Sequence, residues 1–164
     1  MTITALSAMV FLPFVLPICL WVAWSDMATM RIPNKAVMAL FFVYAIIGIF
    51  VLPLDEYLWR YLHLVIILFL GIILNAAGAI GAGDAKFAAA AAPLVALGDL
   101  RLLMVLFAAN LLAAVITHRL AKKSPLRRMA PNWESWNRGW DFPMGLSLGT
   151  TLAIYLILGA LYGA

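Results

Sequence analysis

Residues 3–24 carry no charged side chain. A helix needs about 20 mostly apolar residues to cross a bilayer, and inside hydrocarbon the backbone can satisfy its polar groups only in a helix or a closed barrel. Comparable apolar runs follow at about residues 36–54, 61–80, 85–97, 102–117 and 143–162. The pattern predicts an all-α polytopic membrane protein with six transmembrane helices, residues 1–164 forming a single membrane-embedded domain. Composition agrees: 66% of the chain is hydrophobic and 11% charged, whereas a soluble domain is about half apolar and a quarter charged. A soluble globular domain, a disordered tail and a disulfide-stapled module are thereby excluded. The first run has no basic segment before it and no small-residue cleavage site, so it is expected to be a retained span and not a signal peptide. Pro13 and Pro17 within it are tolerated in membrane helices.

The charges between the runs orient them. Arg31, Lys35, Lys86, Arg119, Lys122, Lys123, Arg127, Arg128 and Arg138, nine of the eleven basic residues, fall in one set of connections. Arg60 and Arg101 fall in the other, with Asp55, Glu56 and Asp99. With six spans the positive-inside rule makes the first set cytoplasmic and turns both termini outward. The long polar stretch 118–141 combines basic residues with Trp133, Trp136 and Trp140. It reads as a cytoplasmic loop lying on anionic headgroups with its tryptophans at the interface, in preference to a docking surface. No recognisable module supports nucleic-acid binding.

Few residues are left to carry chemistry. Cys19 stands alone in an apolar run, which excludes an intramolecular disulfide and a cysteine-rich zinc site. His63 and His118 are expected at opposite faces, too far apart to form a metal site with the aspartates. Neither a metal nor a cofactor is expected. Of the seven acidic residues, Asp55, Glu56, Asp99, Glu134 and Asp141 lie in turns or loops where solvation accounts for them. Asp26 and Asp84 differ. Asp26 directly follows the first span and Asp84 sits between the third and fourth, within Gly81-Ala82-Gly83-Asp84-Ala85-Lys86. The topology brings both to the cytoplasmic ends of spans, at one membrane depth, where ionisable groups are costly unless paired or hydrated. Gly81 and Gly83 are expected to adopt backbone conformations closed to other residues and to let another segment approach. Asp84 also suits the start of the fourth helix. Two facing carboxylates share one proton. The ionised member can take a proton from water while the other polarises a carbonyl, which hydrolyses a peptide without a covalent intermediate. Such a pair titrates as a unit, so either aspartate could be the acid. The alternative is a small polytopic transporter or membrane scaffold using intramembrane aspartates as a proton or cation relay, although such carboxylates are expected nearer the bilayer midplane.

Gly81-Ala82-Gly83-Asp84, with Lys86 after it, matches the Gly-x-Gly-Asp signature of membrane aspartyl proteases. Asp26 followed by Arg31-Ile32-Pro33-Asn34 resembles the first aspartate motif of type IV prepilin peptidases, and Phe142-Pro143-Met144-Gly145 resembles the Pro-x-Gly near that family's end. The resemblance implies a multi-pass enzyme of the bacterial inner membrane that cleaves the leader of type IV (Flp-like) prepilins or pseudopilins at the cytoplasmic face. It implies Asp26 and Asp84 as the catalytic pair, Gly81 and Gly83 as the backbone that shapes the site, and Lys86 as a nearby cation of unassigned role. The pilus-assembly machinery is the further partner it suggests; the oligomeric state is left open. The first aspartate motif also separates the chain from presenilin-like enzymes, whose aspartate lies within a span. Only 25 residues precede Asp26 and there is no cysteine pair, so the chain resembles the short, peptidase-only branch of the tight-adherence type. No methyltransferase activity is expected.

Overall fold

Thr4 starts the first helix: its hydroxyl accepts the Ser7 N–H at 3.2 Å, satisfying one of the amides that a helix start leaves free. The helix, α1, spans Ala5–Thr29 and passes through both prolines. In the computed structural model, which describes residues 1–139 and 141–164, it is followed by α2 (Asn34–Val51), α3 (Leu54–Ala76), α4 (Ala82–Ala91), α5 (Leu100–Lys123) and α6 (Met144–Tyr162). There is no strand among the described residues. The protein is an all-α polytopic membrane protein, and five of its helices are long and apolar enough to cross a membrane. Phe14, Phe50, Phe69 and Leu112 are each more than half exposed on the outside of the bundle, as a lipid-facing surface requires.

The fourth crossing is built differently from a regular span. Its helix stops at Ala91, and the chain continues through a 3-10 turn at Ala92–Leu94, extended residues Val95 and Ala96, and a second turn at Leu97–Asp99. Pro93 is the cause, because it has no N–H to continue the helical ladder. The segment still reaches across. Ten helical residues rise about 15 Å, and the tighter turn and extended residues complete most of a hydrocarbon thickness of about 30 Å. Arg60, buried in α3, donates to the Pro93 carbonyl at 3.1 Å and pairs with Glu56 at 2.6 Å. At the far end the Asp99 carboxylate accepts from the Thr2 N–H at 2.7 Å, the Ile3 N–H at 2.9 Å and the Tyr155 hydroxyl at 2.9 Å. Asp99 and Glu56 are therefore structural anchors, where solvation alone was expected to account for them.

The core stripe of α1 places Asp26. Ala8, Phe11, Val15, Cys19, Val22 and Asp26 are buried at helical spacing, so Asp26 is the last residue of the face that packs inward. That face lies antiparallel against α6, whose glycines remove the side chains that would separate the two backbones. A Cβ at Gly149 would stand 2.8 Å from the Cys19 carbonyl oxygen, and one at Gly159 would stand 2.9 Å from the Ile3 side chain. The same alignment brings the start of α6 to the end of α1. Since α1 continues to Thr29, Asp26 sits inside its last turns and not just beyond them as the apolar run ending at Trp24 suggested.

The 118–141 stretch also departs from expectation. Trp136 is buried and stacks on His118, with centroids 5.0 Å apart, while Trp133 stacks on Trp136 at 5.5 Å and meets Trp24 edge-on at 5.2 Å. These two tryptophans fasten the loop to α1 and α5 and do not lie free at a lipid interface. Trp140, read in the same way from sequence, lies outside the described residues.

Candidate active site

Two aspartates 58 positions apart in the chain line one cleft of about 300 Å³, together with Met30, Arg31, Ile32, Asn34, Gly81 to Gly83 and Lys86. Each is held there for a different physical reason. Asp26 is only 5% exposed, and its Oδ2 accepts the Gly145 N–H at 2.6 Å. Gly145 is the second residue of α6, so this N–H is one of those a helix cannot satisfy internally. The carboxylate caps another helix's N-terminus, where the aligned peptide dipoles favour negative charge. A glycine is required at this point, because a Cβ on residue 145 would lie 2.9 Å from both Cβ and Oδ2 of Asp26.

Asp84 stands in the first turn of α4, just before the apolar crossing that begins at Ala85. Burial pushes its carboxyl up to about 6, the Asp26 charge adds to the rise, and a backbone hydrogen bond to Gly81 opposes it. Dehydration and a like charge both disfavour ionisation, so this side chain holds a proton well above the usual carboxylate range.

The glycines act by lacking a side chain. Gly81 has φ −70°, and Gly78 is the one glycine with positive φ among the described residues. The expectation that Gly81 and Gly83 adopt conformations closed to other residues is therefore not met. The expected close approach is present instead. A Cβ at Gly81 would stand 2.6 Å from Asp84 Oδ2, and one at Gly83 would press on Ile32 at 3.3 Å. Ile32 reaches Gly83 because Met30 ends α1 in the left-handed region at φ 53°, a conformation that costs a non-glycine residue about 1 kcal/mol. Lys86 is exposed and donates to Asn34 Oδ1 at 3.4 Å, tying the start of α4 to the start of α2. Among the described residues it forms no ion pair with either aspartate.

A larger, almost wholly apolar cavity of about 540 Å³ lies between α3, α4, α5 and α6, and no carboxylate lines it. The polar chemistry is confined to the smaller cleft, at the end of the bundle where α1 and α5 finish and α2, α4 and α6 begin. No third His, Cys, Asp or Glu joins the two aspartates into a metal-holding group among the described residues. Gly145 is the functional contact not assigned from sequence. Its signal was the Pro143-Met144-Gly145 motif, which marks a helix start but does not say what its free N–H would meet.

A family model described as the type IV leader peptidase family matches residues 13–118. Asp26 and Asp84 both lie inside the matched region, whereas Gly145 lies beyond it. No curated protein and no solved structure matches the chain.

Proposed function

Because this chain belongs to the type IV leader peptidase family, and is therefore a peptidase and not a transporter or scaffold, we propose that it is an aspartic endopeptidase. On this reading it removes the leader of type IV (Flp-like) prepilins or pseudopilins through Asp26 and Asp84. The observation that carries the reading is the shared cleft: two carboxylates from distant segments line one small polar space at one end of an apolar bundle.

The two environments favour different roles. Burial disfavours charge on both carboxylates; for Asp26 the Gly145 N–H and the α6 N-terminus oppose that effect, whereas Asp84, with the Asp26 charge beside it, is left with a raised pKa that supports its protonated form. Asp26 then takes a proton from water as the oxygen attacks the scissile carbonyl. Asp84 donates a hydrogen bond to that carbonyl and passes its proton to the developing oxyanion. Collapse of the tetrahedral intermediate returns a proton to the leaving amine, so no covalent enzyme intermediate forms. Gly81 leaves room for the Asp84 carboxylate, Gly83 lets Ile32 pack against the start of α4, and Lys86 holds the α2 entry near it. Nine of the eleven basic residues lie in the helix ends and connections at this end of the bundle, which supports a cytoplasmic site in a bacterial inner membrane. A substrate whose apolar segment stays in the bilayer would present its cleavage site at this depth.

The test is coexpression with a prepilin, with the leader followed by gel shift. Asp26→Asn and Asp84→Asn are each expected to abolish processing while the protein still accumulates in the membrane. Normal cleavage by either variant would overturn the assigned pair.

A further inference from the structure

Five aromatic rings form a continuous series between the two segments that hold Asp26. Trp24 lies two residues before it in α1 and meets Trp133 edge-on at 5.2 Å. Trp133 stacks on Trp136 at 5.5 Å, and Trp136 stacks on His118 of α5 at 5.0 Å with the planes 13° apart. His118 meets Phe142 edge-on at 5.7 Å. Phe142 stands three residues before Gly145, whose N–H holds Asp26. The circuit is therefore closed: Trp24 to Asp26 along α1, Asp26 to Gly145 through a hydrogen bond, Gly145 back to Phe142 along the chain, and Phe142 to Trp24 through the rings.

Polar contacts do not explain the place of His118. His118 is 4% exposed and neither ring nitrogen has a hydrogen-bond partner among the described residues; its place is set by the rings on either side. Trp136 is itself locked, because its indole N–H donates to the Ala130 carbonyl at 2.8 Å. Packing against α1 fixes the body of α6, but the first amides of a helix are not fixed by the helix's own ladder. The direction of the Gly145 N–H depends on how the chain enters α6, through Phe142 and the buried Pro143.

We propose that this aromatic series is a positioning device for the reaction, with Trp136 as its central positioning residue: it aims the α6 entry so that the Gly145 N–H meets Asp26. The inference rests on the reading of Asp26 as a catalytic carboxylate. None of the five rings is placed in contact with the scissile bond, so the device acts on turnover and not on substrate affinity. Misplacement of a reacting group by about 1 Å can cost about a hundredfold in rate.

The experiment is steady-state cleavage of a prepilin by the full chain in vesicles. Trp136→Leu is expected to lower kcat at least about tenfold with KM within about twofold, while Trp136→Phe, which keeps a ring in the stack, stays within about threefold of the parent. Trp133→Leu, at a half-buried position, is expected to lower kcat in the same direction and serves if Trp136→Leu does not accumulate. Unchanged kcat in Trp136→Leu, or in Trp133→Leu where it must substitute, would overturn the proposal. So would an equal loss in Trp136→Phe, or a rise in KM at constant kcat. Failure of the underlying reading is distinguishable, since it would show as activity in Asp26→Asn whatever the tryptophan variants do.

Discussion

Replacing Gly145 by alanine adds a single methyl group, and the structure says where it goes. The new Cβ would lie 2.9 Å from both Cβ and Oδ2 of Asp26 and 3.1 Å from its Cγ. Carbon atoms in contact prefer about 3.5–4.0 Å, so the two segments must part by roughly 0.5–1 Å. Neither has an easy escape. Asp26 Cβ is fixed to a buried turn of α1, and α6 is held against α1 by Gly149 and Gly159. The displacement therefore falls on the carboxylate and on the 2.6 Å hydrogen bond that aims it. A reacting group moved by that distance loses about 10- to 100-fold in kcat. Overpacking typically costs about 1–3 kcal/mol of stability, and alanine in place of glycine in a helix returns up to about 1 kcal/mol, so most of the protein stays folded.

The assay pairs prepilin cleavage in vesicles with thermal unfolding in detergent, and Gly149→Ala is the matched control. Its Cβ would meet the Cys19 carbonyl at 2.8 Å, an equally tight clash about one helical turn further along α6, at a residue that touches neither aspartate. Gly149→Ala is expected to lose stability with little change in kcat per folded molecule, and Gly145→Ala to lose kcat out of proportion to stability. Equal kcat for Gly145→Ala and the parent would refute the claim that the Gly145 contact sets the working position of Asp26.

Two further outcomes follow from the same geometry. Asp84 holds its proton up to about 6, so the shared proton is present below that value and lost as pH rises through it; cleavage should show a one-proton descending limb with its midpoint near 6, and a flat rate from about pH 5 to about pH 9 would contradict the proton-sharing pair. Asp99→Asn would replace one of the two acceptor oxygens by an NH2 group, which must then face either the Thr2 or the Ile3 N–H donor, and should cost about 3 kcal/mol of stability with kcat of the folded protein unchanged, as read from denaturation in detergent beside the cleavage assay.

The long-range plan of the molecule was legible because it depends on periodic burial and on charge. The run without charges at residues 3–24 marks α1, and the acidic residues at the ends of apolar runs mark the cleft. What sequence could not supply is how each acidic group is satisfied. Asp26 and Asp99 look alike as carboxylates beside apolar runs, yet one caps α6 and the other gathers the amides of Thr2 and Ile3. Apart from the Tyr155 hydroxyl on Asp99, these partners are backbone N–H groups, which every residue but proline carries, so side-chain pattern holds no sign of them. The fourth crossing was misdrawn for a related reason. Apolar content does not distinguish a helix from the extended residues that follow Pro93, and burial of the freed Pro93 carbonyl is made tolerable by a guanidinium from α3 that lies 33 positions away.

The cleft is shaped largely by side chains that are missing. Gly145 admits the Asp26 carboxylate, Gly81 leaves room for Asp84 Oδ2, Gly83 receives Ile32, and Gly71 lets α4 close on α3, where a Cβ would meet that of Ala85 at 2.8 Å. Three of these contacts join different pairs of segments, while the Gly81 contact is local to the start of α4; together they bring the start of α4, the end of α1 and the start of α6 to one place. A hydrophobic pattern can specify which faces meet but not how closely. Closeness decides the chemistry here, because a like charge raises the Asp84 pKa appreciably only at short range. On the proposed mechanism, added volume at any of these four glycines would act on the proton shared by the pair, although only Gly81 and Gly145 would touch an aspartate directly.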